Sequence, residues 1–350
     1  MIGNQVTITS ETSDRTTASH EMGIGSRWLP DTVLSTLRCS VCGSRCIERD
    51  GDGLQCPRCR THIKTCHGIV ELLPEAMSVN NARELNARDG SSVWHVVSSP
   101  FKRPSSVRRV YLEQSQLIRR FAIDIYESSS ILYLFAGDGV EAHLSGIMNE
   151  RTVLSDISES ALRCARQRVE SYRLARPAAY VQCDAERLPF GDQSYDIVIA
   201  FKGIHHCLIP QSALAEVWRV AGKRAIVFDN WQCLLTNVLY SLSLSSRIEY
   251  SGLKPHRFNK LALQTMMYNA GIDNYHIETC MPHLVDRYVG WRGRRLIQRF
   301  MKPLSQGNQF LLVVDKIGTN LKERARVRLA EYESNPTGFV PSEEQPALPA

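Results

Sequence analysis

The 350-residue sequence contains no run approaching about 18 consecutive apolar residues, the length a membrane-spanning helix needs. Its first twenty residues have neither a basic start nor an apolar stretch, so they carry no secretion signal. The expectation is a chain that neither spans a membrane nor is exported, and that works in the cytoplasm. No internal repeat is present. An excess of charge of one sign is also lacking, because 42 Lys and Arg against 36 Asp and Glu leave only +6. What is there, 43% hydrophobic and 22% charged residues, is the composition of a globular protein and excludes wholesale disorder or a fibrous chain. The length suits one domain of ordinary to large size plus a small module or tails.

Cysteine is the first informative presence. Six of the eleven, Cys39, Cys42, Cys46, Cys56, Cys59 and Cys66, fall within 28 residues. Without a secretion signal this cluster points to a metal site rather than a disulfide framework. Cys39 and Cys42 form one Cys-x-x-Cys pair, Cys56 and Cys59 another, with thirteen residues between the pairs. The turn chemistry of Glu48 to Gly53 predicts a hairpin that brings the pairs together, so that four thiolates converge tetrahedrally on structural Zn²⁺. Gly43 lets backbone amides turn toward a thiolate. Cys46, His62, Cys66 and His67 are left over, with His62 a possible substitute ligand. A module this small has too little core of its own, so metal should supply most of its folding energy.

Residues 1–30 and 333–350 read as disordered tails, 36–75 as the cysteine module and 76–105 as a polar linker. From 106 to 318 apolar strands alternate with helical patterns, which argues for a mostly parallel sheet. A helix is expected from Val107 to Ile125. Strands are expected at Ile131–Phe135, Thr152–Ser155, Ala179–Cys183, Tyr195–Ala200, Arg224–Asp229, Tyr275–Thr279 and Phe310–Asp315. Helices fit between most of them, one opening at Ser158, one over Gln211–Val220 and one over Lys260–Asn269 that stops at Gly271.

The stretch Ile131 to Glu141 (ILYLFAGDGVE) is an apolar strand running through a glycine turn into a helix, which allows a ligand to approach backbone amides at the strand's carboxyl end. The next strand ends in Ser155-Asp156, a carboxylate placed to grip ribose hydroxyls. The third ends in Cys183-Asp184-Ala185, and the fourth follows Leu188-Pro189-Phe190. In this order the pieces resemble a class I S-adenosylmethionine-dependent methyltransferase of the small-molecule type. The resemblance implies a Rossmann-like α/β fold, a seven-stranded mostly parallel sheet with helices on both faces, preceded by a small zinc ribbon. It further implies that Gly137 and Gly139 face the methionine part of S-adenosylmethionine, that Asp156 holds the ribose hydroxyls, that Asp184 with Ala185 lies by the adenine, and that Phe135, Ala136, Ile157 and Phe201 are also among the cofactor-binding residues. Lys202 to His206 (KGIHH) resembles the family's hydrophobic-His-His loop. The cysteine module followed by Gly68 to Pro74 (GIVELLP) resembles the small zinc-ribbon domain, related to methyltransferase activator subunits, that precedes many bacterial methyltransferase domains.

Three positions depart from the family pattern, which usually has an acidic residue at Tyr133, a glycine at Phe135 and often a cysteine or glycine at Ala136. A π face at Tyr133 or Phe135 could attract the sulfonium cation, although packing under the sheet is the weightier reading for each. Methyl transfer is an in-line displacement that depends chiefly on holding the acceptor close and collinear. His205 and His206 are the candidate catalytic bases for an acceptor that must lose a proton. The segment Asn230–Pro255 interrupts the pattern, with an apolar stripe of Leu234, Leu235, Val238, Leu239 and Leu242, while Tyr250, His256 and Arg257 are candidate acceptor contacts. Residues 287–302 hold six basic residues and no acidic one, with Tyr288, Trp291 and Phe300 interleaved. Such a stretch suits a solvated amphipathic helix first, and RNA phosphates, an anionic acceptor or the surface of a membrane second.

The leading expectation is an enzyme that methylates a small molecule or biosynthetic intermediate. An RNA methyltransferase is the alternative, since one ribosomal RNA guanine methyltransferase family also begins with a zinc ribbon, but an Asn-Pro-Pro-Tyr-like motif is missing and the chain is only mildly basic. A catalytically inactive methyltransferase-like binding subunit is the third reading, prompted by Tyr133 and Phe135.

Overall fold

The computed structural model of the chain describes residues 29–45, 47–51, 53–89, 105–172, 176–232, 241, 256, 258–280, 309–318 and 321. Cys46, the 333–350 tail, nearly all of the N-terminal tail, the 234–242 stripe, Tyr250, Arg257 and the basic 287–302 stretch lie outside the described residues.

Among the described residues the first elements are a short helix α1 (Asp31–Leu34) and the small strands β1 (Glu48–Asp50), β2 (Gly53–Gln55), β3 (His62–Ile63), β4 (Thr65–Cys66) and β5 (Ile69–Glu71). Helices α2 (Val79–Asp89) and α3 (Ser105–Ala122) lead to β6 (Ile131–Leu134), α4 (Val140–Ser145), β7 (Thr152–Asp156), α5 (Glu159–Tyr172), β8 (Ala179–Gln182) and β9 (Tyr195–Phe201). Then come α6 (Pro210–Val220), β10 (Ala221–Asn230), α7 (Lys260–Asn269), β11 (Tyr275–Cys280) and β12 (Gln309–Asp315).

Among the described residues the main sheet has nine strands, in the order β11-β12-β10-β9-β6-β7-β8-β5-β4. Strands β10, β9, β6, β7, β8 and β5 run parallel, and β12 is antiparallel to both β10 and β11. The seven expected strands are therefore β6 to β12, in a Rossmann-like arrangement. The sheet is larger than seven because β5 of the cysteine module pairs in parallel with β8, Ile69 against Tyr180 and Val70 against Val181, and β4 adds an antiparallel edge.

Apolar residues alternate across the sheet. Leu132, Leu134, Val153, Val181, Val198 and Val227 face one buried cluster, while Ile131, Tyr133, Leu154, Tyr180, Ile199 and Phe228 face the other. Strands covered on both faces read as continuous apolar runs, which is why β6 and β7 are buried at every residue. Leu37, Leu54 and Ile63 of the cysteine module belong to the first cluster. Each such buried side chain contributes about 1.5–3 kcal/mol. Backbone hydrogen bonds from Arg38 to Pro189 and from Gly191 to Thr36, both 2.8 Å, fasten the module to the loop before β9. The module thus borrows core and backbone partners from the sheet rather than standing off on a linker.

The 76–105 segment also differs from expectation, since α2 occupies its first half. Asp89 Oδ1 accepts from Ser158 Oγ at 2.5 Å and thereby ties the end of α2 to the start of α5. At the opposite end of the sheet Arg224, fully buried, donates to Asp315 Oδ2 from both Nε (2.9 Å) and Nη2 (2.6 Å), and to Asp124 Oδ1 at 2.8 Å. Those partners satisfy a charge that would otherwise be too costly to bury.

Candidate functional site

The four cysteines of the paired motifs converge. Cys39 Sγ lies 3.5 Å from Cys59 Sγ, Cys42 Sγ lies 3.6 Å from Cys56 Sγ, and all four sulfurs fall within 4.8 Å of one another. Thiolates at tetrahedral corners about 2.3 Å from Zn²⁺ stand roughly 3.8 Å apart, so the donor set and its spacing fit that ion. The two Cys-x-x-Cys turns match each other. Gly43 N donates to Cys39 O (2.9 Å) and Arg60 N to Cys56 O (2.7 Å), with Gly43 and Arg60 both left-handed. Burial pushes the Cys39 thiol up to about 12, whereas the Thr61 hydroxyl and amide bring Cys59 down to about 6. His62 is not among the converging donors. Cys66 and His67 meet Glu159 instead, with His67 Nδ1 2.9 Å from Cys66 Sγ and 3.5 Å from Glu159 Oε1.

The glycine turn after β6 is built for close approach. Gly137 and Gly139 both have positive φ, and a Cβ on Gly139 would meet the Ala165 Cβ on α5 at 3.1 Å. Arg168, buried on α5, clamps the turn by donating to Asp138 Oδ2 (2.6 Å) and to Asp138 O (3.1 Å).

A cavity of about 450 Å³, counting its open mouth, lies beyond the carboxyl ends of β6, β7, β8 and β9. The chain runs outward from β6 through β7 to β8 and then crosses back to β9 on the other side of β6, and such a switch point is where open α/β sheets bind ligands. Of the residues singled out from sequence, Phe135, Asp156, Ile157, Asp184, Ala185 and His206 line this cavity. Ala136, Gly137 and Gly139 form the turn beside it. Phe201 does not reach it, because its ring stacks on Phe228 in the core at 5.2 Å. His205 is also directed away. It is buried, and its Nδ1 lies 2.5 Å from Asp229 Oδ1, so it braces the loop after β9 against β10.

Both carboxylates are pre-set by the backbone. Asp156 accepts from Gly137 N (2.8 Å) and Ser158 N (3.0 Å). Asp184 Oδ1 accepts from Glu186 N and from Asn81 Nδ2, each at 2.8 Å. A carboxylate offers about four acceptor sites, so each keeps capacity for hydroxyl or amino donors of a ligand. Hydroxyl and amino donors of that kind are what an adenosine moiety carries, so the two carboxylates are compatible with one.

The cavity's third wall was not among the sequence expectations. Asn81, Glu84 and Arg88 project from α2, with Arg88 Nε 2.6 Å from Glu84 Oε1 and His206 Nδ1 3.5 Å from Glu84 Oε2. These positions lie one helical turn apart, a spacing that could have flagged them.

Residues 136–228 match the family described as methyltransferase domain. The chain is 29% identical over 156 residues to the ubiquinone/menaquinone biosynthesis C-methyltransferase UbiE of Escherichia fergusonii, covering 42% of this chain and 61% of that protein. The Klebsiella pneumoniae protein of the same name is 28% identical over the same coverage. The chain thus spans about three fifths of the length of these curated relatives. Among solved structures it is similar to the magnesium protoporphyrin IX methyltransferase ChlM from Synechocystis PCC 6803 with bound SAH, at 15% identity and a TM-score of 0.44 over 68% of this chain and 95% of that one. Among the described residues no helix is long and apolar enough to cross a membrane.

Proposed function

From a chain that carries a class I S-adenosylmethionine-dependent methyltransferase domain, we propose an enzyme that moves a methyl group to a small-molecule acceptor. The observation that carries this reading is the pair of backbone-braced carboxylates, Asp156 and Asp184, at the ends of neighbouring strands around one cavity. In the proposal Asp156 takes the ribose hydroxyls, Asp184 with Ala185 takes the adenine, and the turn from Ala136 to Gly139 lies by the methionine end. When bound, S-adenosylmethionine supplies an activated methyl on a sulfonium. This chain's residues would exclude water and hold the acceptor in line, the main source of rate in such a displacement.

For an acceptor that must lose a proton, His206 rather than His205 is the candidate base. His206 lines the cavity, with its Nδ1 3.5 Å from Glu84 Oε2. His205 is committed to Asp229. The relatives' activity, C-methylation in ubiquinone/menaquinone biosynthesis, supports a small organic acceptor over RNA.

We further propose that the four-cysteine site holds structural Zn²⁺, leaving no open position for chemistry. Residues 36–75 and 106–318 would then be two units joined through one sheet. Thiols kept as metal ligands fit the reducing cytoplasm. The test is transfer of a labelled methyl from S-adenosylmethionine to extract separated into metabolite, RNA and protein fractions. Label in the metabolite fraction is expected, while label only in RNA supports the alternative acceptor. No transfer to any fraction counts against the enzyme reading.

A further inference from the structure

The residue that closes β6 is strained. Phe135 has φ 56°, a left-handed backbone that a bulky side chain adopts only under compulsion. The same residue reaches the cavity wall, where its ring packs on Gly203 so closely that a Cβ there would lie 2.0 Å from the Phe135 ring. Gly203 itself has φ −141°, so its lack of a side chain serves space rather than backbone freedom. Thus the loop after β9 leaves a slot into which a strained β6 terminus inserts an aromatic ring. Tyr133, the other aromatic on this strand, is fully buried in the opposite core cluster and takes no part.

The position of that ring follows from the order of the strands. A ligand with its adenine at the end of β8 (Asp184) and its ribose at the end of β7 (Asp156) continues, one strand further, to the end of β6. Neighbouring strands are about 4.8 Å apart, so the group one bond beyond the ribose arrives at Phe135. In S-adenosylmethionine that group is the sulfonium. The remaining lining carboxylate, Glu84, is paired with Arg88 and faces His206.

We propose that Phe135 is a positioning and selectivity residue whose π face receives the sulfonium cation, so that the pocket prefers the charged cofactor to the neutral thioether left after transfer. The inference rests on the cofactor reading given under Proposed function. A cation over an aromatic face in a desolvated site corresponds to a preference of roughly five- to thirty-fold. Such discrimination would aid turnover by releasing the product once its charge has gone.

The experiment compares affinities of the zinc-loaded full chain for S-adenosylmethionine and S-adenosylhomocysteine by calorimetry, for wild type, Phe135→Leu and Phe135→Tyr. The ratio of the two dissociation constants does not depend on the fraction of folded protein. It is expected to move toward S-adenosylhomocysteine by roughly five- to thirty-fold in Phe135→Leu and to stay near wild type in Phe135→Tyr. If Phe135→Leu does not fold, 3,5-difluorophenylalanine at position 135 keeps the shape and weakens the π face, and the ratio should shift the same way by a smaller factor. An unchanged ratio with both ligands bound overturns the role of Phe135 and leaves the cofactor reading standing. Wild type that binds neither ligand overturns both.

Discussion

Replacing Gly139 by alanine separates two contributions that this glycine makes to the cofactor turn. Its φ of 76° places an L-residue in the left-handed region, at a cost of about 1–2 kcal/mol. Independently, the new methyl would lie 3.1 Å from the Ala165 Cβ on α5, well inside ordinary contact. Forcing a methyl into a packed site adds about 1–3 kcal/mol. Gly139→Ala should therefore destabilise the domain by about 2–5 kcal/mol, measured by urea denaturation of the zinc-loaded chain. The two costs can be told apart by Ala165→Gly. In a double-mutant cycle this change should recover the steric part and leave the backbone part, giving a coupling of about 0.5–3 kcal/mol. Asn in place of Gly139, which tolerates the left-handed region better, should suffer the clash but less of the strain. A loss below about 0.5 kcal/mol for Gly139→Ala, or zero coupling with Ala165, would refute this account of the turn.

Metal analysis should find about one Zn²⁺ per chain, and Cys42→Ser combined with Cys56→Ser should abolish it and loosen the 36–75 module. Burial, with a lesser contribution from Arg168, holds His143 down to about 4. The unfolded chain therefore takes up a proton between pH 6.5 and 4 that the native chain does not, and stability should fall with pH across that window by up to about 3 kcal/mol. A His143→Gln variant should show a flatter pH profile, and an equal slope in both proteins would remove this assignment. Arg224→Met should cost about 3–5 kcal/mol in denaturant melts, because it strands the buried Asp315 carboxylate. Adding Asp315→Leu to Arg224→Met should restore most of it.

The parts of the fold legible in the sequence were those written in short-range pattern. Strands β6 to β12 all fall within a few residues of expectation, helped in β6 to β10 by the fact that buried parallel strands are apolar runs bounded by turn residues. Helix α7 carries its own punctuation, with Asn259 capping Ala262 N at 2.8 Å and Gly271 left-handed after its end. The paired spacing of the four cysteines was enough to predict their convergence. What stayed hidden depends on contacts distant in sequence. Nothing local in Ile69-Val70-Glu71 says that it will pair with β8, more than a hundred residues on. Helix α2 turns Asn81, Glu84 and Arg88 toward the cavity, so a pattern search that looks for an apolar face reads it as linker. His205 and His206 are neighbours with the same chemistry, and only the position of Asp229 across the loop decides which one is braced and which one faces the cavity.

The central claim is that this cavity binds the adenosyl cofactor through Asp156. Its most direct test is a calorimetric titration of S-adenosylmethionine into the wild-type chain and into Asp156→Ala, both loaded with zinc. Saturable binding of one equivalent to the wild type is expected. Asp156→Ala should weaken it by about 1–3 kcal/mol, the cost of losing hydrogen bonds to a charged group. Absence of binding to the wild type, or equal affinity in the two proteins, would contradict it.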